Sequence, residues 1–168
     1  FAYRRLRELF ERRWTLGEVV AFHTAHKLTL MAHSPVAYRA LGKLVADAKG
    51  RPRADFAVAY QTQFMQALSA IATPKRHANV LQHMLGYFST DLDEDARREM
   101  LALIDEHREG RTPLVVPMTL MRHHVRRRKV AYLLAQTYLE PHPRELSLRN
   151  RGSAAEWRGR GEIGGGRR

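Results

Sequence analysis

Residues 56–71 read FAVAYQTQFMQALSAI and show a helical period. Large apolar side chains recur every three or four positions, at Phe56, Tyr60, Phe64, Leu68 and Ile71. Side chains at this spacing lie on one face of an α-helix, whereas a half-buried strand alternates apolar and polar residues. The pattern therefore predicts a helix over residues 54–72 that packs an aromatic face into a core.

Helix-start signals flank this segment on both sides. Thr15 and Glu18 have the spacing of a capping box, and Ser34 and Thr73 each precede a proline that suits the first helical turn. No pair of alternating strands joined by a turn is visible, so the predicted fold is all-α, a single-domain bundle of about seven helices. The predicted helices cover residues 3–13, 15–33, 34–48, 54–72, 73–88, from Asp91 or Asp93 to 110, and 117–138, with an extended connector over 112–117.

The composition changes near the end of the chain. Residues 151–168 are rich in glycine and arginine, and such a segment cannot bury a core. We therefore predict a helical domain over 1–150 and a disordered tail over 151–168. The chain begins with Phe1 instead of an initiator methionine, so we expect a fragment of a longer protein.

The charge of the chain favours a polyanionic partner. Its 168 residues hold 29 Lys and Arg against 17 Asp and Glu, a formal net charge of +12. Residues 111–168 contain 13 basic and 4 acidic side chains, so most of the excess lies there. Nucleic acid is the first expected partner. No apolar run approaches the roughly 20 residues that span a bilayer, and we expect no membrane partner. The absence of cysteine excludes disulfides, thiolate metal sites and cysteine nucleophiles within this chain.

The segment RHHVRRRK, residues 122–129, is the main candidate for binding phosphates. It contains no glutamate that could neutralise its cations by pairing along the helix. A continuous helix would align Arg122, Arg126 and Lys129 on one face. The predicted nucleic-acid-binding residues are Arg122, Arg126, Arg127, Arg128 and Lys129.

Two further polar stripes interrupt apolar helices. His23, His26 and His33 share one helical face, and Arg76, Asn79 and His83 share another. The histidines could be hydrogen-bonded in the core, could contact an anionic ligand, or could bind a metal through His23, His26 and His83. No carboxylates accompany them, so we assign no catalytic residue and no metal ligand. The residues predicted to line a polar groove are His23, His26, Arg39, Arg76, Asn79, Gln82, His83 and His123.

Several aromatic residues accompany the predicted basic face. Such side chains either belong to the core or stack on unpaired bases of a nucleic acid, and the sequence leaves both interpretations open. These residues are Trp14, Tyr38, Tyr87, Tyr132 and Tyr138.

Several strings along residues 1–150 resemble the YbgA-like family. They include WTLG at 14–17, FHTAHKL at 22–28, MAHSP at 31–35, NVLQH at 79–83 and GYF at 86–88. The resemblance implies a domain that occurs alone or fused behind a desulfidase domain, whose cysteines hold an iron–sulfur cluster. The fused proteins look like bacterial enzymes that remove sulfur from 4-thiouridine in tRNA.

That resemblance implies an RNA-binding accessory domain. Its partners would be RNA, chiefly tRNA, and a desulfidase domain in cis or in trans, in the cytoplasm. The cluster would belong to the fused domain, so we expect no cofactor in this chain. Two other interpretations stay open. One is a small enzyme with a histidine-lined pocket for a nucleotide-like substrate, using His23 or His83 as acid or base. The other is a docking domain whose polar stripes are buried.

Overall fold

The computed structural model describes residues 2–139 and confirms the all-α fold. Within these residues the chain forms nine α-helices and two short 3-10 turns, with no strand. Residues 2–72 with 135–139 form one compact unit, and Thr73–Leu134 form a second. The predicted tail over 151–168 lies outside the described residues, so the boundary at residue 150 stays a prediction.

The first unit is built around the aromatic face of α5. Phe56, Tyr60 and Phe64 are at most 1% exposed, and their rings follow one another at centroid distances of 5.9 and 6.0 Å. Apolar side chains from the other helices of this unit, such as Leu6, Val19 and Leu41, complete the core. The helices of the first unit are α1 (Ala2–Glu11), α2 (Leu16–Ala25), α3 (Lys27–His33), α4 (Pro35–Ala46) and α5 (Arg53–Ser69).

The predicted capping signals are present. Thr15 and Glu18 form the complete capping box of α2, and the Ser34 side chain accepts a hydrogen bond from the Ala37 amide at the start of α4. The prediction of one helix over 15–33 is wrong, however. His26 has φ −100° and ψ 2°, which ends α2 and separates it from α3.

The break at His26 is stabilised from the far end of the chain. The Gln136 side chain donates from Nε2 to the Thr24 carbonyl at 2.9 Å, and its Oε1 accepts from the Leu28 amide at 3.4 Å. The Thr137 amide donates to the Ala25 carbonyl at 2.9 Å. Backbone groups left without partners at a helix end need such hydrogen bonds when they are buried. Gln136, 2% exposed, thus replaces the hydrogen bonds that a continuous helix would have made.

The second unit packs its helices around a core of methionine and aliphatic side chains. Thr73 and Asp93 cap its first two helices as predicted, accepting hydrogen bonds from the Arg76 and Ala96 amides. Met84, Met100 and Met121 are fully buried between these helices. The helices of the second unit are α6 (Pro74–Leu85), α7 (Glu94–Arg108), α8 (Val115–Arg127) and α9 (Ala131–Leu134).

The last predicted long helix, over 117–138, differs from α8 at both ends. Pro117 lies inside the first turn of α8, where the missing amide hydrogen costs no hydrogen bond, so the predicted extended connector is too long. At the other end the helix stops at Arg127, and Lys129 adopts φ 53°. The predicted alignment of Lys129 with Arg122 on one helical face is therefore wrong.

The turn after α8 is a Schellman motif. The Lys129 amide donates to the Arg126 carbonyl and the Val130 amide donates to the Val125 carbonyl, both at 3.2 Å. Helix α7 ends in the same way at Gly110, whose φ is 75°. Glycine adopts this left-handed conformation without steric cost, and lysine does not. Among residues 2–139, Lys129 is the one non-glycine residue with positive φ.

No helix within residues 2–139 combines the length and the apolar character that crossing a bilayer requires.

Candidate nucleic-acid interface

The C-terminal end of α8 presents a group of exposed cations. Arg126, Arg127 and Lys129 are exposed, and we call these three residues the basic end of α8. The sequence contains no Asp or Glu from Gly110 to Leu139, so neither α8 nor its flanking segments supply a neutralising carboxylate. Cations are favoured at this end of a helix because the backbone carbonyls give it partial negative charge.

Several exposed arginines on α1 and α7 are paired with carboxylates. On α1, Arg4 and Arg7 contact Glu8 and Glu11 at 3.1 and 2.6 Å. On α7, Arg98 contacts Glu94 at 3.4 Å. These helices place acids one turn from their bases, which lowers the net positive charge of their surfaces.

Arg128 has a structural role within the second unit. Its Nη1 donates to Nδ1 of His124 at 3.0 Å, and its Nη2 donates to the Asp91 carbonyl at 3.0 Å. The guanidinium carbon also lies 6.0 Å from the centre of the Phe88 ring. These contacts connect the end of α8 to the 3-10 turn Ser89–Asp91, so part of the donor capacity of Arg128 is used inside the protein.

Arg122 and His123 lie one turn earlier on α8. Arg122 is half-buried, and its Nε atom is buried without a hydrogen-bond partner among the described residues. His123 is exposed, and its ring centre is 5.4 Å from that of His124. The five predicted phosphate-binding residues thus divide into three exposed cations and two half-buried ones, Arg122 and Arg128. Phosphate binding by any of them stays a prediction.

One face of α6 is hydrophilic and exposed. Asn79, Gln82 and His83 are exposed along it, and Arg76 is half-buried one turn before Asn79. The face continues into Gly86, the residue that caps α6. Amide side chains can donate and accept hydrogen bonds together, so this surface can contact the edge of a base as well as a phosphate.

Two aromatic rings extend this face beyond the end of α6. Tyr87 is 43% exposed and packs on Tyr132, with ring centres 5.0 Å apart and an interplanar angle of 21°. The His83 ring meets Tyr87 at 90° with a centroid distance of 5.5 Å. The sequence identified both tyrosines as candidates but did not predict that their rings are in contact. Tyr132 follows the end of α8, which the sequence does not signal.

In the first unit, His23 is half-buried among tyrosines. Its Nδ1 lies 3.1 Å from the Tyr60 hydroxyl, and its ring stacks on Tyr38 at 5.7 Å. Burial lowers the pKa of His23, so the neutral form is favoured. Arg39 is exposed on α4, one residue after Tyr38.

His26 and His33 form structural hydrogen bonds. Nδ1 of His26 donates to the Phe22 carbonyl at 2.8 Å, and Nδ1 of His33 donates to the Ala70 carbonyl at 2.7 Å. The His26 ring stacks on Phe22 at 4.1 Å, and its Nε2 is buried with no hydrogen-bond partner within residues 2–139. Burial lowers the pKa of His26 to about 4, so it is neutral at pH 7.

The eight residues predicted for one polar groove belong to two compact units. His23, His26 and Arg39 lie in the first, and the other five lie in the second. The single groove therefore stays a prediction. Among the described residues, no group of three or more histidine or acidic side chains is arranged to hold a metal ion.

Comparison with known proteins identifies relatives. Residues 27–143 match a family described as "Protein of unknown function (DUF1722)". The chain is 37% identical over 153 residues to "Uncharacterized protein YbgA" from Escherichia coli (strain K12), covering 90% of each chain. No solved structure matches this chain.

Proposed function

Because this chain belongs to the DUF1722 family and is similar to YbgA, we propose that it is an RNA-binding accessory domain whose basic end of α8 holds phosphates. The exposure of Arg126, Arg127 and Lys129, in a segment without acidic residues, is the observation that supports this function most strongly.

The basic end differs from an ordinary solvated helix face in its charge balance. Lysine and arginine on a solvated face are commonly offset by glutamate one turn away, as Arg7 is by Glu11. On α8 itself the titratable side chains near this end are histidines and cations, while Glu99 of α7 is close enough to act on His124. Mutual repulsion between these cations decreases when phosphates approach, and the release of counterions from RNA adds a favourable entropy.

Helix geometry also spreads these cations over a surface. Arg126 and Arg127 are successive helical residues, about 100° apart around the axis, while Lys129 follows the turn that ends the helix. Arg126 and Arg127 therefore leave the helix in different directions. A folded RNA passes several phosphates over one surface, so cations at neighbouring positions can contact more than one of them.

The proposal is tested by measuring the affinity of a fluorescently labelled tRNA for the protein. The variant Arg126→Ala/Arg127→Ala/Lys129→Ala removes the basic end. We expect its tRNA affinity to fall about tenfold or more at low salt, because three phosphate contacts are lost.

A matched control keeps the same change in net charge. The variant Arg4→Ala/Arg7→Ala/Arg98→Ala removes three exposed arginines that are paired with carboxylates. Its affinity should stay within about threefold of the wild type, since only long-range attraction is reduced. Equal losses in both variants would show that net charge alone, and not the basic end, binds RNA.

We further propose that the RNA is tRNA presented to a desulfidase domain, in cis or in trans. This part rests on the resemblance to YbgA-like proteins, and the chain itself has no cysteine for sulfur chemistry. Adding the protein to a desulfidase domain should increase the rate at which 4-thiouridine absorbance is lost from tRNA. An unchanged rate at a saturating concentration would contradict this partnership.

The alternative of a small histidine-based enzyme has less support. An acid–base histidine is ordinarily oriented by a carboxylate, and the polar partner of His23 among the described residues is a tyrosine hydroxyl. The structure gives no observation that favours this alternative over RNA binding.

A further inference from the structure

We infer that His83, Tyr87 and Tyr132 form a stacking platform for an unpaired nucleobase, next to the basic end of α8. The inference rests on the proposed RNA binding and narrows its ligand to RNA that exposes single-stranded nucleotides. The platform consists of these three residues of the second unit.

Of the five candidate aromatic residues, the structure leaves one exposed ring, Tyr87, which is packed on the half-buried Tyr132. Tyr138 is fully buried. Trp14 packs edge-on against Phe10 and carries the Arg53 guanidinium at 4.0 Å from its ring centre. The Tyr38 ring is stacked on His23. Tyr87 is the candidate whose ring is both exposed and supported from behind by another aromatic residue.

The support by Tyr132 matters for stacking. Because Tyr132 packs nearly parallel to Tyr87 at 5.0 Å, the position of the Tyr87 ring is restricted before any ligand binds. The His83 ring meets Tyr87 at a right angle, which further restricts its motion. A ring that is already ordered loses little conformational entropy on binding. The apolar face of an exposed tyrosine ring is in contact with water, so covering that face with a base is favourable.

Hydrogen-bonding side chains precede the platform on α6, and cations are its close neighbours along the chain. Asn79 and Gln82 are exposed on the α6 face that leads to Tyr87. Tyr87 precedes Phe88, whose ring is 6.0 Å from the Arg128 guanidinium, and Tyr132 follows Lys129 by three residues. A stacked base would therefore have phosphate-binding charge close to its backbone. Proteins that bind single-stranded nucleic acid combine these two features, aromatic faces and a basic surface.

A duplex does not fit this combination. Bases in an A-form helix are stacked on each other, and their faces are covered. The platform thus predicts a preference for loops, bulges and unpaired ends over continuous duplex, which phosphate contacts alone would not produce.

The test compares a ten-nucleotide single-stranded RNA with a duplex RNA that carries the same number of phosphates. We expect Tyr87→Ala to weaken single-strand binding about 5- to 100-fold. Tyr87→Phe should stay within about twofold of the wild type, because it keeps the ring. Duplex affinity should be similar in all three proteins. Tyr3→Ala, which removes a tyrosine that is 55% exposed on α1, is the matched control and should leave binding unchanged.

A second measurement needs no variant. A single-stranded RNA containing 2-aminopurine should lose fluorescence when it binds the wild-type protein, because a stacked 2-aminopurine is quenched. Absence of quenching under saturating conditions would overturn the platform, and so would a Tyr87→Phe loss as large as that of Tyr87→Ala. Unchanged single-strand affinity in Tyr87→Ala, with reduced affinity in the basic-end variant, would overturn the platform and leave the proposed function standing. No binding of either RNA by the wild type would overturn both.

Discussion

Nη1 of Arg128 donates a hydrogen bond to Nδ1 of His124 at 3.0 Å, and this contact fixes the protonation state of the histidine. A guanidinium group can only donate, so Nδ1 of His124 must be the acceptor and the ring must be neutral. The remaining proton is then on Nε2, which is buried. Burial and the nearby Arg128 both lower the pKa of His124, in agreement with this assignment.

The contact predicts that neighbouring arginines differ in their effect on stability. Arg128→Ala removes the hydrogen bonds to His124 and to the Asp91 carbonyl, and we expect the free energy of unfolding to fall by about 1–3 kcal/mol. Arg127→Ala changes an exposed side chain and should cost less than about 0.5 kcal/mol. Urea unfolding followed by circular dichroism measures both. Similar losses would contradict the structural role of Arg128.

Acid should destabilise the protein through His26. Its pKa is lowered to about 4 in the folded protein, against about 6.5 in an unfolded chain, so the unfolded state binds the proton first as the pH falls. The stability that depends on neutral His26 is present above about pH 6.5 and is lost progressively toward pH 4. Between about pH 7.0 and 5.5 this group should contribute a loss of roughly 1 kcal/mol.

The matched variant is His26→Phe, which keeps an aromatic ring against Phe22 and cannot take up a proton. Its free energy of unfolding should depend less on pH over the same range than that of the wild type. His23, His107 and His124, whose pKa values are also lowered by burial, remain in both proteins and shift stability in the same direction. Identical pH dependence in the two proteins would mean that His26 is already accessible to protons in the folded state.

We expect Lys129 to lower the stability of the folded protein while it contributes to tRNA binding. Because lysine is strained at φ 53°, we expect Lys129→Gly to raise the free energy of unfolding by about 0.5–1 kcal/mol while lowering tRNA affinity. Gly110, in the equivalent turn after α7, gives the converse control, and Gly110→Ala should lower stability by about 1 kcal/mol. A Lys129→Gly variant that is less stable than the wild type would contradict the strain.

Gln136 should be essential to the break between α2 and α3. Gln136→Ala leaves the Thr24 carbonyl and the Leu28 amide without their side-chain partner, and we expect a loss of about 1–3 kcal/mol. Gln61→Ala is a suitable control, because Gln61 makes one hydrogen bond to its own helix, with the Ala57 carbonyl. Native-state hydrogen exchange should show faster exchange around residue 28 in Gln136→Ala alone.

Local signals in the sequence were sufficient for most of the helices. Capping boxes, N-terminal prolines and the aromatic period of α5 are interactions within a few residues, and the structure contains them where they were predicted. Ile71 shows the limit of periodicity. It continues the apolar spacing of α5, but the helix ends at Ser69 and Ile71 is 81% exposed.

The features that sequence could not give depend on distant residues. The break at His26 is stabilised by Gln136, which is 108 residues from its Leu28 partner. The end of α8 is fixed by a left-handed lysine instead of the glycine that usually signals a helix end. Near this helix end Arg128 is hydrogen-bonded to His124, whereas Arg126, Arg127 and Lys129 are exposed. The sequence alone does not distinguish these two kinds of cation.

The salt dependence of tRNA binding is the most direct test of phosphate recognition by the basic end of α8. The logarithm of the association constant, measured against the logarithm of the KCl concentration, should fall linearly for the wild type. Its slope should become less negative by about 2–3 in Arg126→Ala/Arg127→Ala/Lys129→Ala, since each lost phosphate contact removes roughly one released counterion. The same slope in both proteins would show that these three residues do not contact phosphates, and would contradict the account.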